Sequence, residues 1–375
     1  MGKKLSVLLA GGGTAGHVNP LLATAHALEE INPQLQITAV GTKKGLETEL
    51  VPAAGFPLAT IPRTPFPRRF NADLLRFPRA FQATVRSCRE LLIEKQAAVV
   101  VGFGGYASAP MYLAAKKLHI PVVVHEANAR AGLANKLGAR FAALVALTFP
   151  STDLRARRGD TLTTGLPLRA EIARLATDTA YREELRGSAA SEFDLDPDLP
   201  TLVVTGGSSG AVHINEVVAQ TSSAILERGI QVLHISEKGK AAAVKEILEK
   251  SGVSLQRYHV IEYLANMEKA YALADLVITR AGAGMVAEIS ALGIPAVFVP
   301  LPIGNGEQAL NAQDVVNSGG ALLVSNADFT GEWLQAQALP LFTAHKLPAM
   351  AAAARAVAPL DGAAVLAKRI VEIIG

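Results

Sequence analysis

The residues best suited to chemistry in this chain are glycines, which recur in three turns that each follow an apolar run. The three segments are LSVLLAGGGTAGH at 5–17, AAVVVGFGGYAS at 97–108 and TLVVTGGSSGAVH at 201–213. A buried strand that ends in glycines and then opens a helix presents backbone N–H groups at the positive end of the helix dipole, which suits phosphate. The first and third turns are about one domain apart. This spacing predicts two Rossmann-like halves with a phosphate-rich ligand between them.

The first turn matches G-x-G-x-x-G at Gly11, Gly13 and Gly16, although a tight strand–helix turn can need glycines for packing alone. A dinucleotide site also requires an acid after the second strand, to bind the ribose hydroxyls. Here the second strand, LQITAV, runs into the sequence GTKK at 41–44. We therefore expect no NAD site.

His17 follows the last glycine of that turn and should lie in the first turn of a helix. The helix dipole there favours the neutral imidazole, which is suited to act as a general base or hydrogen-bond donor beside a phosphate. The alternative is a structural histidine that bonds the next loop. His125, in VVVHEAN after another strand, is a weaker candidate of the same kind.

The most specific segment of the second half is ADLVITRAGAGMVAEISALGIPAVFVP at 274–300. A strand ends at Arg280, Gly282 and Gly284 form a turn, and the following helix carries Glu288 one helical turn later. A carboxylate at that place can accept two hydrogen bonds from a ribose diol. A solvent-exposed helix residue is the alternative, but the flanking residues are apolar and an unpaired carboxylate among them would be costly.

Two further observations concern sugar and metal ligands. Gln308 and Asn311 follow the loop 302–306, where amides can bind sugar hydroxyls or serve the start of a helix. Asp194 and Asp196 form a D-x-D pattern, but it precedes a strand in a proline-containing acidic loop, and we interpret it as a surface linker. The single Cys88 excludes a disulfide framework and a cysteine-based zinc site. We expect no cofactor and no obligatory protein-bound metal.

Strand-like apolar runs alternate with helix-length segments in both halves, which predicts an α/β fold with parallel sheets. The expected domains are 1–168, 169–348 and a helical tail, 349–375, that packs back on the first domain. The predicted strands lie near 5–10, 35–40, 97–101, 121–125, 143–148, 201–206, 230–235, 258–261, 275–279, 295–299 and 321–324.

Charge is distributed unevenly. Residues 1–168 hold 20 lysines and arginines against 10 acids, whereas 169–375 hold 16 against 23, so the first half should face something anionic. Five arginines and four phenylalanines fall within 61–81, whose prolines should prevent one continuous helix. Arginines beside exposed aromatics suit an anionic lipid surface, although the phenylalanines can instead face the core. The expected membrane residues are Phe66, Arg68, Arg69, Phe70 and Arg76. No apolar run reaches the ~18 residues that span a bilayer, so a soluble protein at the membrane surface is expected.

These motifs together resemble the MurG family, the peripheral membrane N-acetylglucosaminyltransferases that convert lipid I to lipid II in peptidoglycan synthesis. The resemblance covers nearly the whole chain, and the residues of its motifs are similar to those of actinobacterial members. It rests on GGGTAGH at 11–17, GFGGYAS at 102–108, HEANARAGLANK at 125–136, TGLPLR at 164–169, GGSSGA at 206–211 and RAGAGMVAE at 280–288.

The resemblance implies a GT-B fold, with two Rossmann-like domains facing across a cleft, and single-displacement transfer with inversion. It implies His17 as general base, with Glu126 as the alternative or an orienting partner. The implied acceptor-binding residues are Gly13, Gly104, Gly105, Tyr106 and His125. The implied donor-binding residues are Thr14, Ala15, Gly16, Asn128, Arg169, Ser208, Leu264, Ala283, Gly284, Met285, Val286, Glu288, Gln308 and Asn311.

The implied partners are UDP-GlcNAc, undecaprenyl-diphosphate-MurNAc-peptide (lipid I), the anionic inner-membrane surface at the cytoplasmic face of the plasma membrane, and other cell-wall synthesis proteins. Nucleic acid is not expected. Three alternatives stay open: a GT-B glycosyltransferase with another lipid acceptor such as diacylglycerol, a UDP-sugar epimerase, and a catalytically silent nucleotide-sugar-binding protein.

Overall fold

The computed structural model describes residues 5–65, 72–207, 211–253, 255–302 and 306–375. The chain divides into two compact units, Met1–Arg169 with Leu360–Gly375 and Ala170–Pro359. Each unit contains a wholly parallel sheet with helices on both faces, and the predicted α/β class with two Rossmann-like halves of the GT-B type is confirmed.

The first unit contains a sheet whose described strands run in the order β3-β2-β1-β4-β5-β6-β7. These strands are β1 (Ser6–Ala10), β2 (Gln36–Thr42), β3 (Leu58–Ile61), β4 (Ala97–Gly102), β5 (Val122–Glu126), β6 (Leu144–Leu147) and β7 (Asp160–Thr163). Its helices are α1 (Ala15–Ile31), α2 (Glu47–Ala53), α3 (Ala72–Glu94), α4 (Gly105–Lys117), α5 (Leu133–Gly138) and α17 (Gly362–Ile374).

The second unit repeats the arrangement with strands in the order β10-β9-β8-β11-β12-β13. They are β8 (Thr201–Thr205), β9 (Gln231–Ile235), β10 (Tyr258–Ile261), β11 (Leu276–Thr279), β12 (Ala296–Phe298) and β13 (Ala321–Leu323). The helices are α6 (Ala170–Thr177), α7 (Thr179–Glu192), α8 (Val212–Gln220), α9 (Ser222–Glu227), α10 (Ala241–Ser251), α11 (Met267–Leu273), α12 (Ala283–Leu292), α13 (Glu307–Asn311), α14 (Gln313–Asn317), α15 (Gly331–Trp333) and α16 (Lys346–Ala356). Shorter helical turns cover Leu255–Arg257, Leu334–Ala338 and Leu339–Leu341.

Continuous apolar strands follow from burial on both faces of each sheet. In β1, Val7 and Leu9 enter the core that includes Leu366 of α17, while Leu8 and Ala10 enter the opposite core with Met111 of α4. Because alternate strand residues point to opposite faces, both sets must be apolar. The strand order reverses between β1 and β4 and between β8 and β11, and ligands of such sheets bind at the carboxyl ends of those strands.

Two strands escaped the sequence analysis, and both lie at sheet edges. They are β3, with sequence LATI, which is mostly half-buried, and β7, with sequence DTLT, which is mostly exposed. An edge strand has fewer neighbours to bury it and therefore needs no apolar run.

Residues 61–81 do not form one continuous helix, as expected, because β3 ends at Ile61, residues 62–65 are not helical and α3 begins only at Ala72. Within α3, Pro78 does not interrupt the helix. The expected tail, 349–375, is divided between the units. Helix α16 packs on α12 in the second unit, whereas α17 packs on α1 in the first. Among the described helices, none combines the length and apolar character needed to cross a bilayer.

Candidate functional site

In the first unit, the reversal point brings the first two glycine turns side by side. Ala10 at the end of β1 pairs with Gly102 at the end of β4, and the Phe103 amide donates to the Ala10 carbonyl at 2.8 Å. The turn at 11–16 then opens α1. Gly13, Thr14 and Gly16 are exposed, and Gly13 has a φ of +90° that favours glycine. This edge of the sheet therefore presents exposed backbone at a helix N-terminus, as the sequence predicts.

The carboxylate of Glu47 contacts this turn, a role that the sequence did not predict. It lies at the start of α2 and is 1% exposed. Its Oε2 accepts from the Gly13 amide at 2.8 Å, and its Oε1 accepts from the amide and hydroxyl of Thr42, each at 3.0 Å. Burial raises the pKa of Glu47, but the hydrogen bonds from Gly13 and Thr42 outweigh it, so the pKa lies below its usual value. An ionised carboxylate is thus built into the first turn.

His17 lies in the first turn of α1, half-buried, against the second glycine turn. Its Nδ1 is 3.1 Å from the Gly12 carbonyl oxygen and 3.4 Å from the Thr14 hydroxyl. A Cβ on Gly104 would lie 2.9 Å from Nε2, so glycine is required there for the imidazole to fit. Because a carbonyl oxygen can only accept, we assign the ring proton to Nδ1, which leaves the Nε2 lone pair as the acceptor.

The second turn is fixed by a buried hydroxyl. Ser108 in α4 accepts from the Gly104 amide at 3.0 Å and lies within donating distance of the carbonyls of Ala10 and Gly104. Gly104 has a φ of +95°, and half-buried Gly105 begins α4. Tyr106 is 39% exposed, with the Arg63 guanidinium 4.6 Å above its ring. The turn thus offers backbone and an aromatic–cation pair at the surface.

Glu126 ends β5 and is 3% exposed. Its Oε1 accepts from the Asn128 amide at 3.0 Å, and its Oε2 accepts from the Gly132 amide and the Asn135 Nδ2, each at 2.9 Å. Asn135 is itself held by Tyr112, whose hydroxyl donates to Oδ1 at 2.9 Å. These three bonds hold the loop 127–135, which agrees with an orienting role, and the alternative role of general base stays a prediction.

His125 is completely buried, with its ring 5.5 Å from that of Phe103. Burial lowers its pKa to about 4, so the ring is neutral near pH 7. We therefore revise the expected acceptor contact of this side chain, because its ring presents no surface to a substrate.

In the second unit, the corresponding edge lies between β8 and β11. Gly282 precedes α12 in extended backbone, and the first turn of the helix contains Ala283, Gly284 and Met285, all half-buried. A Cβ on Gly282 or Gly284 would meet open space. Val286 is 1% exposed, and its amide already donates to the Gly282 carbonyl at 2.9 Å. The turn leaves room for a phosphate at a helix N-terminus.

Glu288 lies one turn further along α12, and Tyr271 of α11 is its partner. The Tyr271 hydroxyl donates to Glu288 Oε2 at 2.9 Å and is 3.1 Å from the Met285 sulfur. Tyr271 is completely buried, while Glu288 is half-buried. The tyrosine therefore orients the carboxylate from the core side.

Three polar side chains hold the loops that follow the neighbouring strands. Arg280 is 6% exposed and donates to the carbonyls of Val299 and Pro300 and to Asn326 Oδ1. Gln308 accepts from the Leu301 amide at 2.9 Å, and Asn311, 1% exposed, donates to the Ala281 carbonyl at 3.2 Å. The sequence left open whether the two amides bind sugar or serve local structure, and these contacts are of the local kind.

The remaining predicted residues are placed as follows. Ala15, Asn128, Arg169 and Leu264 are half-buried, and Arg76 is exposed on α3. Ser208, Phe66, Arg68, Arg69 and Phe70 lie outside the described residues. Within the described ranges, no group of three or more histidine, cysteine, aspartate or glutamate side chains has metal-site geometry.

The residues that sequence reasoning missed had weak signals. Glu47 stands five residues after the end of β2, beyond the stretch where a ribose-binding acid was sought. Tyr271 lies in the run KAYALADL, which indicates only a buried helix end. A polar or aromatic residue near a glycine turn is noticed only once the fold brings the two together.

Comparison with known proteins agrees with this geometry. The glycosyltransferase family 28 N-terminal domain matches residues 7–147, and the glycosyltransferase family 28 C-terminal domain matches residues 201–370. A relative from Bifidobacterium adolescentis is 46% identical, with 100% of this chain and 99% of the relative covered. A relative from Nocardioides sp. is 50% identical, with 98% of each covered.

Both relatives are named UDP-N-acetylglucosamine–N-acetylmuramyl-(pentapeptide) pyrophosphoryl-undecaprenol N-acetylglucosamine transferase. The crystal structure of Acinetobacter baumannii MurG matches with a TM-score of 0.78 and 30% identity, covering 98% of this chain and 99% of that one. With such similarity along its whole length and a glycine turn at each sheet reversal, the chain belongs to the MurG family of glycosyltransferases.

Proposed function

We propose that the protein transfers GlcNAc from UDP-GlcNAc to the MurNAc 4-hydroxyl of lipid I, forming lipid II for peptidoglycan synthesis. The observation that carries the proposal is the pairing of a glycine turn with a polar reacting or binding group in each unit: His17 in the first and Glu288 in the second. The names of the relatives, which describe this transfer, support the same reaction.

The second unit takes the donor in this proposal. The Gly282–Met285 turn meets the diphosphate with backbone N–H groups, and Glu288 accepts hydrogen bonds from the ribose diol. The Tyr271 hydroxyl fixes the carboxylate for that purpose. Ser208, Leu264 and Arg169 are expected to contribute to the donor as the family resemblance implies.

The first unit takes the acceptor, with its diphosphate at the turns 11–16 and 102–106. His17 Nε2 receives the proton of the MurNAc 4-hydroxyl while that oxygen attacks C1 of GlcNAc. The C1–O bond to UDP breaks as the new C1–O bond forms, and its electron pair leaves on the β-phosphate. A single displacement of this kind inverts the anomeric carbon from α to β. The donors around the diphosphate stabilise the charge that UDP acquires.

No protein-bound metal takes part in this proposal, because the diphosphate is matched with backbone N–H groups. Asp196 accepts from the Asp198 amide at 2.9 Å within its own loop, which agrees with a linker role. We expect excess EDTA to leave the affinity for UDP unchanged. Loss of affinity that one divalent ion restores would contradict this part of the proposal.

The first unit is proposed to meet an anionic membrane surface at the cytoplasmic face of the plasma membrane. Arg76, Arg79 and Arg86 are exposed on one side of α3. Each arginine near such a surface gains on the order of 1 kcal/mol, and salt screens this gain. Replacing the three with glutamate should weaken binding to phosphatidylglycerol vesicles and transfer to vesicle-embedded lipid I.

Two controls make the membrane test decisive. Transfer to a short-chain soluble acceptor should persist in the triple variant, since that substrate needs no membrane. Glutamate at Arg140, Arg157 and Arg158, which are exposed basic positions outside α3, should weaken vesicle binding less. Equal loss on both acceptors, or unchanged vesicle binding, would contradict a membrane role for α3.

The function itself is tested by transfer of radiolabelled GlcNAc from UDP-GlcNAc to a lipid I analogue. We expect labelled lipid II and one UDP released for each sugar transferred, with no release without lipid I. Transfer to diacylglycerol instead would support the other-lipid alternative. Interconversion of the UDP-sugar without an acceptor would support an epimerase, and binding without turnover a silent binding protein.

A further inference from the structure

One peptide unit of the first glycine turn is bonded on both sides. The Gly13 amide donates to Glu47 Oε2 at 2.8 Å, and the carbonyl oxygen of the same peptide unit, from Gly12, lies 3.1 Å from His17 Nδ1. A buried carboxylate and the imidazole are therefore joined through a single peptide group. The order along this line is carboxylate, N–H, C=O and imidazole N–H.

The carboxylate end of this line is fixed more firmly than one contact would require. Three glycines surround it, and a Cβ on Gly12 or Gly41 would lie 2.5 or 2.6 Å from Glu47 atoms, while one on Gly45 would overlap its Oε2. The Thr42 amide and hydroxyl both donate to Oε1, so each carboxylate oxygen is held by hydrogen bonds. Glycines at these places make room for a carboxylate and leave the turn attached to it.

The imidazole end is fixed by the second turn. A Cβ on Gly105 would lie 2.6 Å from the Gly12 carbonyl oxygen, and one on Gly104 would lie 2.9 Å from His17 Nε2. The two turns therefore hold the carbonyl and the ring together. A carboxylate that accepts from a peptide N–H polarises that peptide and makes its carbonyl oxygen a stronger acceptor. A stronger acceptor holds the ring proton on Nδ1 and leaves Nε2 unprotonated.

We propose that Glu47 is a positioning residue that acts on His17 through the Gly12–Gly13 peptide, holding the imidazole in the tautomer that presents Nε2 as a base. This inference rests on the proposed function for its catalytic consequence, but the tautomer itself is a property of the free protein. The nearest analogy is an acid that orients a catalytic histidine by direct contact. Here a peptide group stands between the two side chains.

The first test reads the tautomer without substrate. The tautomer is measured by NMR on protein in which the ring nitrogens of all 8 histidines carry an isotope label. The signals of the His17 ring are identified by their absence in His17→Ala. At pH 8 we expect the wild-type ring to carry its proton on Nδ1. Glu47→Gln places an amide NH₂ against either Gly13 or Thr42, so part of the His17 population should move its proton to Nε2. Glu49→Gln is the matched control on exposed α2 surface and should resemble wild type. An unchanged tautomer in folded Glu47→Gln would overturn the proposal.

The second test is a double-mutant cycle on transfer. Glu47→Gln should lower kcat by roughly 10- to 100-fold, by analogy with partners that orient metal-ligating histidines, with the KM for UDP-GlcNAc unchanged. In a His17→Ala background it should change kcat by no more than about 2-fold, because the effect passes through His17. An equal loss in both backgrounds, or no loss in the first, would overturn the proposal. If wild type transfers no GlcNAc, the proposed function fails while the ring tautomer still decides whether Glu47 acts on His17.

Discussion

Tyr271 donates its hydroxyl hydrogen to Glu288, with 2.9 Å between the two oxygens, from a ring that is completely buried. The carboxylate is half-buried, whereas the tyrosine ring that donates to it lies in the core. Substituting each residue in turn can therefore test its contribution to donor binding separately.

Removing the Glu288 carboxylate should weaken UDP-GlcNAc binding strongly. A hydrogen bond to a charged group contributes about 1.5–3 kcal/mol, so Glu288→Ala should raise Kd for UDP roughly 10- to 150-fold. Glu288→Gln should be milder because one acceptor oxygen remains. Calorimetry with UDP and with 2′,3′-dideoxy-UDP checks the cause: wild type and variant should bind the dideoxy ligand alike. An unchanged Kd for UDP in folded Glu288→Ala would refute the ribose contact.

Tyr271→Phe should act on the same ligand contact by releasing the carboxylate. We expect a rise in Kd for UDP of roughly 2- to 12-fold, because immobilising a freed side chain on binding costs about 0.5–1.5 kcal/mol, and kcat should stay near wild type. Tyr181→Phe, on α7 with Arg174 3.9 Å above the ring, is the matched control and should not change Kd. A loss that persists with 2′,3′-dideoxy-UDP would show that Tyr271 acts on something other than ribose binding.

His17→Ala should lower kcat by about 10²–10⁴-fold, the usual contribution of a general base. UDP affinity should change far less than kcat, since a general base acts in the chemical step. His26→Ala serves as control because that ring lies half-exposed on the same helix, edge-on to Phe56. Steady-state rates at saturating lipid I give the answer. Near-wild-type turnover in His17→Ala would exclude His17 as the base.

Gly104→Ala should damage the first unit twice. The φ of +95° is strained for alanine by about 1–3 kcal/mol, and the new Cβ would press on His17 Nε2. We expect a lower calorimetric unfolding temperature together with slower transfer. Gly187→Ala, in α7 with open space around the added Cβ, should instead stabilise by about 0.5–1 kcal/mol and leave transfer unchanged. Wild-type transfer by Gly104→Ala would contradict the placement of the imidazole.

Acid should destabilise the second unit through His234. Its Nδ1 lies 2.8 Å from the Tyr258 hydroxyl and its Nε2 3.0 Å from Asn215 Oδ1, and burial lowers its pKa to about 3. Between pH 6.5 and about 3 the unfolded chain binds a proton at this position that the folded unit refuses. The free energy of unfolding should therefore fall with decreasing pH, by up to about 1.4 kcal/mol per pH unit from this group.

Trp333, the chain's single tryptophan, reports on that unit because it lies in α15. Urea unfolding followed by its fluorescence at pH 6 and pH 5 should show the fall in wild type and a smaller one in His234→Gln. If the free energy of unfolding falls equally with pH in wild type and His234→Gln, other groups cause the acid sensitivity.

The sequence predicted the sheets and the turns because both have strong local signals. Buried parallel strands such as β1 and β8 must be apolar on both faces, and glycines mark the turns that follow them. Edge strands such as β3 and β7 lack that requirement, so LATI and DTLT passed unnoticed. The sequence therefore predicts the strands whose residues must be apolar because they are buried on both faces.

The polar partners of the site were harder to foresee because they come from other elements. Glu47 reaches Gly13 across 34 residues, and Tyr271 reaches Glu288 from the preceding helix. The local sequences ETELVPA and KAYALADL do not distinguish these residues from an ordinary helix start or core position. The candidate residues were thus predicted with their turns, but their supports depend on tertiary packing.

The position of α17 has a consequence for biosynthesis. Leu366, Ala367 and Ile370 of this helix complete the core behind β1, yet they follow the whole second unit along the chain. As the polypeptide leaves the ribosome, the second unit has all of its residues before the first does. The segment that begins first is therefore finished last, and it must wait with an apolar face of α1 uncovered until α17 emerges. A nascent chain stalled before α17 is the species in which we expect chaperones to find that face.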